Sequence, residues 1–337
     1  GVQTDFRSGS VNGGKSDQAN VTLDGVDVND QQQRSAFTSV LRATLDSVQE
    51  FRTITTNAGA EFGRTSGAQV SLLTRSGTND LHGALYYFLR NTATSANSFF
   101  NNSAGVPREK LNRNLFGGRV GGAIKQNRLF YFLNYEGRRD ASEINAVRVV
   151  PNADLRNGIF HYLRKDGGIG TLNPADFKRL DPLGIGQNQA VLDLYKSYPV
   201  PNDTTSGDLL NTAGYRFNAR APLSWNTYIA KFDYYLDEKN KHSLFVRGNL
   251  QNDSEAGLPQ FPGQPANSVT LRNNKGYAVG LTSVFKPELI SNFRYGLTRQ
   301  GWEQTGVGTY SAVTLRGLDS SVGLSRGFAA IIPVHTL

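Results

Sequence analysis

The sequence predicts a mainly β protein in two parts: a small α+β unit over residues 1–80, then strands of a transmembrane antiparallel β-barrel over residues 81–337. Three observations lead there. From residue 81 onward, segments of about ten residues alternate apolar and polar positions, with aromatics near their ends, as barrel strands do. The connections between these segments alternate strictly between long and short. The composition joins 19 Phe and 14 Tyr to 36 Gly in 337 residues, a strand-and-turn mixture. An aromatic share of 10% excludes a disordered chain. No apolar run approaches the roughly 20 residues of a spanning helix.

Each element follows from local pattern. Val21–Asn29 reads as strand, Asp24-Gly25 turn, strand. Apolar residues at 37, 40, 41 and 45 have helical spacing and predict a helix over Phe37–Leu45. Val48–Thr55 is rich in β-formers, Ala60–Ser66 is a turn region, and Gln69–Thr74 is a short strand. Seven strands then follow: Leu81–Asn91, Phe116–Ile124, Arg128–Arg139, Ser224–Leu236, His242–Gln251, Lys275–Phe285 and Glu288–Arg299. In the last, Leu289, Ser291, Phe293, Tyr295 and Leu297 share one face, and Ile290, Asn292, Arg294, Gly296 and Thr298 the other. The second and third segments, the fourth and fifth, and the sixth and seventh should pair antiparallel.

The connections run long (92–115), short (125–127), long (140–223), short (237–241), long (252–274) and short (286–287). A transmembrane barrel has short periplasmic turns and long extracellular loops. A soluble β-rich protein that binds or hydrolyses carbohydrate would also have period-2 strands, but no reason to segregate its loops by length. The longest loop carries its own helix signal, Gln189–Tyr198, ended by Pro199.

The chemistry is bounded mostly by exclusion. The chain has no Cys, hence no disulfide, thiolate metal site or Cys nucleophile. It has no Met, even at position 1, and no apolar leader, which reads as a processed product or a fragment. The four His residues are scattered, without metal-ligand spacing. The net charge of +8 is spread along the chain, so nothing points to nucleic acid. Gly9–Ser16 satisfies G-x-x-x-x-G-K-S, but polar residues precede it and a strand and turn follow, so the context of a phosphate loop fails. No Ser/His/Asp set or carboxylate pair has a supporting local pattern, and no enzyme, cofactor or metal is expected.

Residues 47–75 run from Ser47-Val-Gln-Glu-Phe through Phe62-Gly63 and Ser66-Gly67-Ala68-Gln69-Val70-Ser71-Leu72-Leu73-Thr74-Arg75. This stretch resembles the end of the plug domain of TonB-dependent outer-membrane receptors, with Gln69 where the family has Gly. Upstream, Val11-Asn-Gly-Gly-Lys15 and Leu23-Asp24-Gly25-Val26 are similar to earlier plug elements. Phe130–Gly137, Arg156–Phe160, Asp181–Ile185 and Tyr198–Asn202 look like the Oar-like subgroup. The resemblance covers residues 1 to about 300. It implies the C-terminal part of a plug over 1–80 and the N-terminal part of an incomplete outer-membrane barrel over 81–337. In a Gram-negative outer membrane, such a receptor takes up a scarce ligand with the energy-coupling TonB complex as partner. Surface adhesion or protein export on the same fold is the alternative.

The candidate residues follow. Asp24, Gly25, Phe62, Gly63, Gly67 and Arg75 are the plug motif, with the glycines read as backbone devices. Plug arginines of the family pair with barrel carboxylates, which implies an Arg75–Glu136 ion pair. Phe99, Phe100, Asn101, Asn102, Tyr195 and Tyr198 lie in long loops and offer stacking faces and amides to an extracellular ligand.

Overall fold

The computed structural model describes residues 18–30, 39–55, 59, 67–97, 99, 102, 105 and 107–306. Gly9–Ser16, Phe62, Gly63, Phe100 and Asn101 lie outside the described residues.

The N-terminal unit is a four-stranded sheet of β1 (Asn20–Leu23), β2 (Val26–Asp27), β3 (Val48–Ile54) and β4 (Gln69–Thr74), in the order β2-β1-β4-β3. β1 and β4 are parallel, and the other pairs antiparallel. Asp24 (φ 50°) and Gly25 (φ 80°) both take the left-handed region that a tight hairpin turn demands. Val21, Leu23, Val28, Val40 and Leu41 form a small apolar core, with Ala43, Val70 and Leu72 packed on it.

The helix expected over Phe37–Leu45 is absent from its described part. Residues 39–44 are non-helical, and only Leu45–Ser47 makes a 3₁₀ turn. An isolated nine-residue helix is marginal on its own. Here the main-chain groups find partners on a neighbouring wall instead: Asn274 Nδ2 donates to the Val40 carbonyl (2.8 Å) and Asn249 Nδ2 to the Arg42 carbonyl (3.4 Å).

That wall begins with β5 (His82–Asn91), β6 (Asn112–Lys125) and β7 (Leu129–Asp140). The chain then leaves it through β8 (Glu143–Pro151), α1 (Ala153–Arg156), β9 (Phe160–Leu163), β10 (Ile169–Leu172), α2 (Pro174–Leu180), α3 (Gln189–Ser197) and β11 (Thr212–Arg220). It returns with β12 (Leu223–Tyr235), β13 (His242–Ala256), β14 (Ser268–Arg272), β15 (Lys275–Lys286), β16 (Leu289–Arg299) and β17 (Trp302–Gly306). The wall order is β16-β15-β13-β12-β7-β6-β5, all antiparallel, with β14 and β17 attached beside β13. The three hairpins expected from the sequence are β6–β7, β12–β13 and β15–β16.

All three long connections are more ordered than their sequence suggested. β6 starts at Asn112 and β13 runs to Ala256, so the first and third long connections give residues to strands. Within 140–223, β8 and β11 pair over their whole length and prolong β7 and β12 as a two-stranded ribbon. The ribbon has its own core of Ala146, Phe217 and Ala219, backed by Tyr215 and Leu258. His161 bridges Thr171 Oγ1 (3.0 Å) and Asp154 Oδ2 (2.8 Å), tying the β9–β10 hairpin to α1.

The wall has two unlike faces. Leu85, Leu133, Tyr228, Phe232, Val246, Leu250, Phe293 and Leu297 stand exposed on one. The other carries Asn134, Thr227, Lys231, Arg247, Asn249, Gln251 and Asp253, all buried under the N-terminal unit. An apolar outside and a polar inside are the phase of a membrane barrel.

Candidate functional site in the lumen

The inward face of the wall meets the N-terminal unit along a seam rich in hydrogen bonds and ion pairs, set among the buried apolar side chains of Phe132, Ile229 and Ala278. Its inner end is the Asp24-Gly25 turn. Asp24 Oδ1 accepts from the Thr74 N–H (2.9 Å) and Oδ2 from Thr74 Oγ1 (2.8 Å), which fixes the turn to β4. The same carboxylate faces two wall cations: Arg247 Nε at 2.8 Å and Lys231 Nζ at 3.9 Å. Arg247 is fully buried and also donates from Nη2 to the Leu23 carbonyl (3.4 Å). Lys231 donates to the Thr74 carbonyl (3.0 Å). Buried charges need partners, and Asp24 supplies one to both strands at once.

Small residues on β15 and β16 let the unit approach. A Cβ on Gly296 would lie 2.5 Å from Val26, and one on Gly276 would lie 2.6 Å from Leu41.

The outer half of the seam is the strap 40–47. Arg42 pairs with Asp253 (2.6 Å), donates to Thr227 Oγ1 (3.0 Å), and sits 4.1 Å from the centre of the Trp225 ring. Arg138 lies 4.5 Å from the centre of that ring, so one indole serves a cation from each part. Thr44 Oγ1 donates to Asn134 Oδ1 (2.7 Å). Gln251, with its amide oriented to suit the network, donates to the Val40 carbonyl (3.3 Å) and accepts from the Arg42 N–H. The wall therefore grips backbone as much as side chains.

The residues singled out in the sequence are placed as follows. Asp24 and Gly25 form the seam's turn. Gly67 is buried where a Cβ would lie 2.7 Å from the Gln18 carbonyl oxygen, so close backbone approach explains it. The structure does not bring Arg75 and Glu136 together. Glu136 accepts from Tyr86 Oη (2.9 Å), whereas the Arg75 N–H donates to the Ser47 carbonyl and its side chain lines a cavity with Arg119. Glu136 shares a strand level with Gly117 and Thr227, while that cavity reaches Gly121 and Phe132, nearer the β6–β7 turn. Phe99 and Asn102 are exposed, with Asn102 accepting from Asn97 (2.8 Å). Tyr195 is half-buried on α3. Tyr198 is buried edge-on against Phe261, with ring centres 5.5 Å apart, and packs the ribbon together.

Sequence reasoning missed Arg42, Trp225, Lys231, Arg247 and Asp253. A signal existed for the wall residues: Leu244, Val246, Gly248 and Leu250 set one phase of β13, which puts Arg247, Asn249 and Gln251 on the other.

Comparison with known proteins agrees with this architecture. Over 158 residues the chain is 27% identical to the TonB-dependent transporter Oar of Myxococcus xanthus, a stretch covering 44% of this chain and 14% of that protein. The structure is similar to that of the outer membrane transporter YddB from Escherichia coli, with a TM-score of 0.54 and 13% identity over 93% of this chain and 36% of that one. The chain thus spans well under half of the length of either protein. The outer membrane beta barrel domain family matches residues 73–334, and the chain belongs to that family.

Proposed function

We propose that this chain is the latter part of a plug (residues 1–80) and the first strands of the barrel (81–337) of a TonB-dependent outer-membrane receptor, which takes up a scarce ligand and catalyses no reaction. The observation that carries the reading is the seam. The N-terminal unit has its own apolar core, which touches the wall at Leu41, and meets the wall largely through Asp24, Arg42 and Thr44 with Lys231, Arg247, Asp253 and Asn134. Water can replace such contacts one by one, whereas an apolar interface would have to be exposed outright. A polar seam suits a plug that must move and return. The long connections 92–115, 140–223 and 252–274 are read as extracellular, with the ligand met there and at the plug's outer surface. The TonB complex and outer-membrane lipid are the partners this reading requires.

The test compares the growth medium of three cell types: cells with the full-length receptor, receptor-null cells, and receptor cells whose proton-motive force is collapsed. Uptake requires at least one solute depleted by the first alone. Equal depletion by all three would end the transport reading. Deletion of 140–223 should abolish that depletion, and external protease should cut this segment in intact cells.

A further inference from the structure

Where the N-terminal unit passes into β5, a cavity of about 130 Å³ lies between it and the wall, lined among others by Gln49, Arg75, Thr78, His82, Arg119 and Phe132. That is several times the roughly 30 Å³ a water takes in the liquid. The Nε atoms of Arg75 and Arg119 are both buried and have no acceptor. A guanidinium cannot shed its charge, so an N–H of this kind calls for an anion or a lone pair.

The neighbouring cations each stand against a carboxylate, even though the N–H groups of Arg247 are not all satisfied. Arg247 has Asp24 at 2.8 Å, and Lys231 has Asp24 and Asp233, each at 3.9 Å. Arg119 has only Asp46, at 3.8 Å, too far for a hydrogen bond. Arg75 has no ion pair among the described residues, and no Asp or Glu among them lines the cavity. His82 engages Thr78 Oγ1 and the Asp80 carbonyl through Nδ1, which holds one side of the cavity in place. Excess positive charge, unused N–H donors and sufficient volume thus coincide at one point on the seam.

We propose that this cavity is an anion-binding site that takes a phosphate or carboxylate group between Arg75 of the plug and Arg119 of β6. Guanidinium groups match such oxyanions in geometry as well as charge. An anion held by both arginines ties the plug to the wall, and its release loosens that end of the seam. The site is defined in the resting receptor, so its failure would leave the transport reading standing.

The experiment is calorimetric titration of the full-length detergent-solubilised receptor with inorganic phosphate, and in a second arm with glucose 6-phosphate. Binding of both shows that the cavity admits an anionic group carried on a larger molecule; binding of phosphate alone assigns it to the free ion. Arg119→Gln and, separately, Arg75→Gln should each weaken binding about tenfold or more. Arg75→Lys should recover part of the loss. If Arg75→Gln disturbs plug folding, Arg119→Gln on the wall still decides the matter. Electron microscopy of the receptor with tungstate should place density against both guanidinium groups. Unchanged affinity in both glutamine variants, or a receptor carboxylate filling the cavity, would overturn the proposal.

Discussion

The seam between the N-terminal unit and the wall and the ribbon outside the wall are built with different emphasis. The ribbon is held by packing: Ala146, Phe217 and Ala219 are buried, and Tyr198, Tyr215 and Phe261 interlock edge to face. The seam is held largely by the hydrogen bonds and ion pairs of Asp24, Arg42 and Thr44 with their wall partners, while Val26 and Leu41 lie against wall glycines and Phe132, Ile229 and Ala278 are buried on the same wall face. Apolar packing makes one stable arrangement whose loss must be made up all at once. A polar seam is specific in register yet can be rehydrated stepwise. On the proposed reading, this difference sets a standing scaffold outside against a removable part in the lumen.

The comparison breaks most readily at Asp24. Asp24→Ala leaves Arg247 buried without its carboxylate, leaves Lys231 with Asp233 alone, and takes two acceptors from Thr74. Removing one partner of a buried pair costs about 3–5 kcal/mol. Urea unfolding of the N-terminal unit in the full-length protein, followed by protease cleavage between residues 20 and 74, should shift by that amount. The ribbon's protease resistance should not change. A loss below about 1 kcal/mol would mean that the seam is not held at this turn.

The matching change outside is Phe217→Ala. A buried Phe truncated to Ala costs about 3 kcal/mol or somewhat more. The loss should be confined to the ribbon and read as faster hydrogen exchange along β8 and β11, with the N-terminal unit unaffected. A drop in that unit's stability of similar size would show that ribbon and seam unfold as one.

A smaller and sharper probe is Arg42→Lys. The charge opposite Asp253 is kept, but the paired donors and the flat face against Trp225 are lost. The expected cost is about 1–2 kcal/mol at the seam, since a cation–π contact and a second hydrogen bond are each worth about 1 kcal/mol. Full retention of stability would make Arg42 a point charge only.

The two regions were also unequally legible. Strand pairs could be read because alternation and short turns are local: β12–β13 and β15–β16 lie within a residue or two of their expected spans at the turn ends. The Asp24-Gly25 turn and α3, which ends at Ser197 rather than Tyr198, could be read for the same reason. The ribbon could not be, because β8 and β11 pair across a segment that separates them widely in sequence. The seam's partners were hidden likewise. The phase of β13 marks Arg247 as inward-facing, but nothing local says that it meets Asp24. The helix over 37–45 failed because spacing is silent about a wall whose Asn249 and Asn274 compete for the same carbonyls.

The smallest expected effect is one of pH, and it separates the regions again. At the ribbon's tip, Asp208 accepts from the N–H groups of Leu210 (3.0 Å), Asn211 (2.8 Å) and Thr212 (2.8 Å), and from Thr212 Oγ1 (2.9 Å). Burial pushes its carboxyl up, but these donors outweigh burial and hold it below the ordinary 3.8. Asp203 is lowered in the same way: burial opposes, while the Thr205 hydroxyl and N–H and the Arg216 guanidinium prevail. A folded value below the unfolded one stabilises the fold above pH 3.8, and that stabilisation is lost as pH falls through the lower, folded value. Acidification from pH 6 to below 3.8 should therefore speed exchange at Asn211 and Thr212, after correction for the intrinsic rate. Asp208→Asn should give fast exchange at both pH values. The packed aromatics of β11, carrying no carboxylate, should hold the ribbon's stem throughout, so the tip opens while Tyr215 and Phe217 stay protected. Loss of protection along the whole ribbon at the same pH would show that the carboxylates, not the apolar core, hold the scaffold.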